Sequence, residues 1–210
     1  MKTTLAVCIA AAALLCSAAN GTVLTSDDVP SGTVLRNSFY MDAYRVAFDS
    51  LFRATDHTGS PWGRPRSGSN VLTWQGEPGF RSARVLFGYY TASSADPDDT
   101  LSVGACFSTQ TGVMVRMTAY HWTPPATTAF VASVVIGAAG ESWENRRVEI
   151  SSPQQPFNML QFEGVNSPDE LLGWCADDMT IVPVPEPSSL AALGLALAGL
   201  AMATGRRKGR

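Results

Sequence analysis

The chain has 210 residues, 45% hydrophobic and only 16% charged, with 15 basic and 18 acidic residues for a formal net charge of −3. Every acid lies between Asp27 and Glu186, whereas five of the basic residues sit at the two ends, so the body between carries ten arginines and a net charge near −8. Such an acidic body excludes nucleic acid and anionic membrane surfaces as partners, and its length fits one domain with room for a full core.

The first segment, residues 1–19, reads as a secretory signal peptide. Lys2 supplies the positive start, 5–15 (LAVCIAAAALL) the apolar stretch, and Ser17-Ala18-Ala19 the small residues that signal peptidase reads. Cys8 and Cys16 leave with it. The mature body, 20–183, then keeps two cysteines, Cys106 and Cys175. In an oxidising compartment such a pair favours a disulfide, which would close a loop of about 70 residues and contribute on the order of 4 kcal/mol. Two separate buried thiols are the alternative.

Within the body, short apolar runs alternate with clusters of Gly, Pro, Ser and Asp. Strands are expected over 71–75, 83–90, 113–120, 130–137, 147–151, 158–164 and 176–182. In 113–120 the alternation is regular: Val113, Val115, Met117 and Ala119 share one face, while Arg116, Thr118 and Tyr120 share the other. Residues 38–51 depart from this pattern, since Tyr40, Tyr44, Phe48 and Leu51 recur at helical spacing. A short helix is expected there, with a first strand as the competing reading. Many short strands without intervening helices make the body all-β, a sandwich or barrel.

Three groups of residues bear on chemistry. Trp62, in GSPWGRP, and Trp122, in YHWTPP, fall in predicted turns, where an exposed ring can stack on a sugar face or cover the end of the sandwich. Asp177 and Asp178 open the last strand, and strict alternation puts Asp177 with Met179 and Ile181 on the core face. A carboxylate there needs a partner: backbone N–H groups of a neighbouring loop, a structural calcium ion, or a bulge that turns both acids to solvent. Catalytic signatures are missing from the remainder. With His57 and His121 as the only histidines, and no HExxH, GxSxG or CxxC, the chain reads as a non-enzyme. A glycoside-active hydrolase, which needs only two carboxylates, is the minor alternative.

The end of the chain, 184–210, has its own grammar. Val184-Pro185-Glu186-Pro187 is followed by an apolar stretch, about 189–205, and then by Arg206, Arg207, Lys208 and Arg210. The stretch is shorter than the roughly 20 residues that cross a bilayer comfortably, and the basic stop holds its end on the cytoplasmic side. Prolines on both sides of Glu186 keep the backbone extended, the form in which proteases bind a chain.

Pro185-Glu186-Pro187, the short apolar helix and the arginine-rich end together resemble the PEP-CTERM sorting domain of Gram-negative bacteria. That resemblance implies an exported protein held transiently in the inner membrane, processed by an exosortase, and associated with exopolysaccharide and biofilm at the cell surface or in the matrix. The segments SGSNVLTW (67–74), the run from Val113 through Phe162 and the closing GWCADDMTIVPVPEP more weakly resemble the jelly-roll ectodomains that often precede this tail. They imply a jelly-roll-like β-sandwich, related in architecture to carbohydrate-binding modules, in which a structural calcium commonly sits beside the last strand. The function expected is structural or glycan-binding. Its alternatives are a secreted carbohydrate-active enzyme and a plain membrane-anchored surface protein with a protein partner.

Overall fold

The structure is a computed structural model that describes residues 21–35, 40–48, 52–76, 79–90, 95–123 and 127–184. The expected signal peptide at 1–19, Pro185-Glu186-Pro187, the apolar segment and the basic tail lie outside the described residues. Among those described, no helix is long and apolar enough to cross a membrane.

Residues Gly21–Pro183 form one compact unit, built from two antiparallel sheets packed face to face. Sheet A has seven strands. Its order is β11 (Trp143–Ser151), β8 (Thr100–Thr109), β13 (Trp174–Pro183), β5 (Asn70–Trp74), β4 (Phe52–Asp56) and β2 (Val34–Leu35), with β1 (Thr22–Leu24) paired to the second half of β13. Sheet B has six strands. Its order is β10 (Thr127–Ile136), β9 (Val115–Thr123), β12 (Met159–Gly164), β6 (Ala83–Tyr90) and β3 (Val46–Phe48), with β7 (Ala95–Pro97) on the margin of β6. The all-β sandwich expected from the strand pattern is the fold observed.

Alternation places the core. Val115, Met117 and Ala119 of β9, Val85 and Phe87 of β6, and Leu160 and Phe162 of β12 point inward from sheet B. Val103, Ala105 and Phe107 of β8 with Trp174 and Ala176 of β13 meet them from sheet A. At the centre the Phe162 and Trp174 rings stack 4.9 Å apart, and Phe52 and Phe107 pack against the same indole. Aromatic pairs of this kind add roughly 0.5–1.5 kcal/mol each beyond the area they bury.

Two expectations are corrected at this level. The helical spacing in 38–51 yields a single turn, α1 (Met41–Tyr44), closed by Arg45 in the left-handed region at φ 52°, after which the chain continues as β3. One turn makes too few hydrogen bonds to propagate, and Val46–Phe48 gain more by pairing with β6. The second correction concerns Asp177. Its strand is bulged, the register against β8 slipping between Asp177 and Thr180, with Asp178 at φ 50°. The bulge reverses the phase of the alternation. Trp174 and Ala176 before it, and Met179 and Ile181 after it, all face the core, so Asp177 points to the opposite side of the sheet.

Candidate functional site

Each sheet has an outer face, and the two are finished differently. On sheet A the segment after β4, residues 57–69, folds over β13 and β8 and is fastened by three carboxylates. Glu144 of β11 accepts from the N–H groups of Gly63 and Arg64 (3.1 and 2.7 Å). Asp177 accepts from Arg66 and Ser67 (2.7 and 3.0 Å). Asp27, from the 3-10 turn Ser26–Asp28, accepts from Ser69 and Asn70 (2.8 and 2.9 Å). Each acid takes two successive amides, so a loop without regular structure still has its backbone donors satisfied. Burial raises the pKa of Asp177, with the charge of Asp178 adding to it, while the N–H groups of Ser67 and Arg66 pull the other way.

Both aspartates have hydrogen-bond partners in the loop. Asp177 meets its need for a partner through loop amides, and Asp178 accepts from the Ser67 hydroxyl at 2.7 Å with Arg66 at 3.8 Å. Among the described residues no three His, Cys, Asp or Glu side chains converge on a metal position. Of the three partners expected for Asp177, the loop amides are the ones the structure supplies.

The expected disulfide is also corrected: Cys106 and Cys175 are free, buried thiols beneath this loop. Register places Cys106 opposite Asp177, and Cys175 opposite Ser108, so the cysteines are diagonal neighbours. Diagonal Cβ atoms lie roughly 7 Å apart, against about 3.5–4.5 Å in a disulfide. Burial, with the negative charge of Glu144, pushes the Cys175 thiol up to about 12. Arg66 Nη1 lies 3.2 Å from the Cys106 sulfur. Trp62 is part of the same cover. It is half-buried, its ring 5.4 Å from that of His57, and His57 Nδ1 is in turn 3.0 Å from the Gly63 carbonyl oxygen. Trp62 thus packs into the cover through His57.

Among the described residues, no such loop is fastened over the outer face of sheet B. Trp122 lies within β9 and not in a turn, which corrects its expected setting, and strand parity puts it on the same side as Tyr120. The two side chains are about 7 Å apart along the strand. Together with Arg84, Leu86, Met159, Gln161 and Thr128 they line a shallow groove of about 400 Å³. Tyr90 extends the aromatic strip beyond Trp122 (5.6 Å, 30° between planes), and Phe130 extends it beyond Tyr120 (6.3 Å). Polar groups run beside the rings. Arg84 Nε donates to Gln161 Oε1 at 3.3 Å, and Gln161 Nε2 donates to Glu163 at 2.6 Å.

Asn158 fixes the groove's principal ring. It is 1% exposed, and its side-chain carbonyl accepts from the Trp122 N–H at 2.7 Å while its amide donates to the Trp122 C=O at 3.0 Å. One side chain thus continues the ladder past the end of β12. At the far end the Tyr90 hydroxyl, its pKa raised by burial and by nearby Asp98 and Asp96, stays protonated and donates to the Phe87 carbonyl at 2.7 Å. Of the two tryptophans singled out from sequence, the structure brings Trp122 into a groove and leaves Trp62 on the opposite sheet. Tyr120, Tyr90, Arg84 and Gln161 were not singled out. Their signal was the outward half of each strand's alternation, already visible at Tyr120.

Comparison with known proteins locates one motif. Residues 183–208 match the PEP-CTERM protein-sorting motif. The chain is thereby marked for export, for anchoring in the membrane and for sorting by an exosortase. No curated protein matches the chain. Among solved structures, the K2 cleaved adhesin domain of Lys-gingipain aligns over 77% of this chain and 97% of its own at 12% identity and TM-score 0.44. TmCBM61 in complex with β-1,4-galactotriose aligns over 73% of this chain and 100% of its own at 14% identity and TM-score 0.37.

Proposed function

We propose that this is a non-enzymatic glycan-binding protein, delivered by its sorting tail to the cell surface or matrix, where it associates with exopolysaccharide. Signal peptidase removes 1–19, the exosortase acts near Pro185-Glu186-Pro187, and the sandwich is the part that remains. The observation that carries the reading is the groove on sheet B. Trp122 and Tyr120 offer apolar ring faces to the C–H faces of sugar rings, and Arg84 and Gln161 offer hydrogen-bonding groups to hydroxyls alongside. That is the mixture a pyranose chain requires. The seven lining residues include no carboxylate, thiol or imidazole, which favours holding a chain over cutting it.

A stacked ring is worth about 1–3 kcal/mol if it matches stacking on other flat ligands. Affinity electrophoresis of the Gly21–Pro183 unit in gels containing the host's exopolysaccharide tests the proposal. Wild-type protein should be retarded, and Trp122→Ala should weaken the apparent affinity roughly tenfold to a hundredfold. Unretarded wild-type protein in every host glycan would reject the reading, as would release of shortened glycan chains, which would make the protein an enzyme.

A further inference from the structure

The strands that border the two sheets are mostly defended. β1, β2, β3 and β7 have two or three residues each, and β11 carries Glu144, Arg146, Arg147 and Glu149. Shortness and charge are the ordinary means by which a sheet edge avoids accepting another strand. β10 has neither. It runs ten residues, TTAFVASVVI, without a charge or a proline, is rich in β-branched residues that favour strands, and among the described residues pairs only with β9. One bulge, between Phe130 and Ala132, interrupts it. Residues 132–136 beyond the bulge are regular.

We propose that β10 is a self-association edge, on which a second copy of this chain lays its own β10 antiparallel about a two-fold axis perpendicular to sheet B. Charge argues for this edge and this occupant. Copies of a domain with an excess of acids repel one another broadly, and β10 is a ten-residue strip that contributes nothing to that repulsion. Side-chain direction is self-complementary as well. With Val134 on the axis, Ser133 of one copy faces Val135 of the other, both on the outer side, and Ala132 faces Ile136, both on the core side. Val135, 41% exposed in the single chain, becomes covered. Through the turn at 137–142, β10 leads into β11, which packs beside it. β11 carries two arginines and two glutamates, so it adds no net charge to that boundary.

An axis perpendicular to the sheet keeps both outer faces on one side. Two grooves would then open on the same surface, and a long polysaccharide could span both, gaining avidity without any new contact. That consequence rests on the glycan reading above; the association does not.

So short a pairing gives a weak dimer, with a dissociation constant on the order of 10–1000 μM. Sedimentation velocity of the Gly21–Pro183 unit, without glycan, at protein concentrations on either side of that range should show the coefficient rising from monomer toward dimer. Val135→Lys and Ser133→Lys place charges on exposed outer positions of the edge. Both should stay monomeric throughout while keeping thermal midpoints within a few degrees of wild type. Wild-type protein that remains monomeric over the whole range overturns the proposal, and so does an association that survives both substitutions. Loss of glycan binding with the dimer intact would reject the glycan reading alone.

Discussion

The two outer faces of this sandwich begin from the same geometry and end with opposite surfaces. Sheet A spends its outward side chains on holding a loop: Asp177 and Glu144 grip amides, Cys106 and Cys175 lie sealed below, and Trp62 covers the rim. On sheet B no loop among the described residues takes that place, and the outward positions carry rings and hydrogen-bonding groups. A carboxylate in the first setting is structural cement. An aromatic in the second packs against its neighbouring rings, Trp122 against Tyr90 and Tyr120 against Phe130, and lines the groove.

The largest effect should come from breaking the sealed face. Asp177→Ala leaves the amides of Arg66 and Ser67 without their acceptor under cover, at a cost of about 1–3 kcal/mol for each stranded donor. Denaturant titration should show a fall of roughly 2–4 kcal/mol. Cys106 and Cys175, slow to alkylate in the wild type, should then react readily in the native state, while glycan retardation stays at the wild-type level. Equal thiol reactivity in both proteins would mean that Asp177 does not hold the cover.

Asn158→Ala cuts the other way. It removes both clamps on the Trp122 backbone, so about 1–3 kcal/mol of stability should go, and glycan affinity should fall several-fold because the ring is no longer held in register. A stability loss with unchanged affinity would show that Trp122 needs no such support.

Gly63→Ala should be milder and confined to sheet A. Gly63 sits at φ 66°, and an added methyl would come within 2.8 Å of the Cys175 sulfur. A loss of roughly 1–2 kcal/mol is expected in thermal or denaturant unfolding, again with glycan binding intact.

The smallest effect is one of pH. Glu170 closes the capping box of the 3-10 turn Pro168–Gly173. Burial pushes its carboxyl up, but donors from Asn166, Ser167 and Met114 together bring it below the ordinary range. A depressed pKa means stability present above the unfolded value, near 4.3, and lost as pH falls through the folded one. Glu170→Gln should therefore flatten the acid limb of a stability-against-pH curve below about pH 4.3. Asp177, raised by burial, has the opposite sign: its ionisation opposes folding as pH climbs, so it does not drive acid unfolding.

How much of this was legible depended on where the information lay. The strands of sheet B alternate cleanly, because one side meets the core and the other meets water, and β6, β9 and β12 can be read from that pattern. β8 could not. TLSVGACFST is buried on nearly every residue, under the core on one side and on the other under Arg66 of the loop at Cys106 and under Arg147 and Glu149 of β11 at Gly104 and Ser102, so no alternation survives. Trp122 is instructive in a different way. The prolines at 124 and 125 suggest a turn from residue 121 onward, yet the strand runs to Thr123, and two more steps of the same alternation carry Tyr120's side to Trp122. For Asp177 the chemistry was readable, since a carboxylate in a last strand needs donors. The side of the sheet was not, because one bulged residue inverts it. Its fellow anchors Glu144 and Asp27 reach amides 81 and 42 positions away, and no local pattern encodes partners at that separation.

The division of labour between the faces can be mapped in one experiment. Amide chemical shifts of the isotopically labelled Gly21–Pro183 unit, followed while oligosaccharides from the host's exopolysaccharide are added, report both faces at once. The account predicts saturable shifts at Tyr120, Trp122, Arg84 and Gln161 on sheet B, with the amides of Gly63, Arg66 and Ser67 on sheet A unmoved. Saturable shifts gathered around Trp62 and residues 57–69, with the sheet B groove silent, would contradict it.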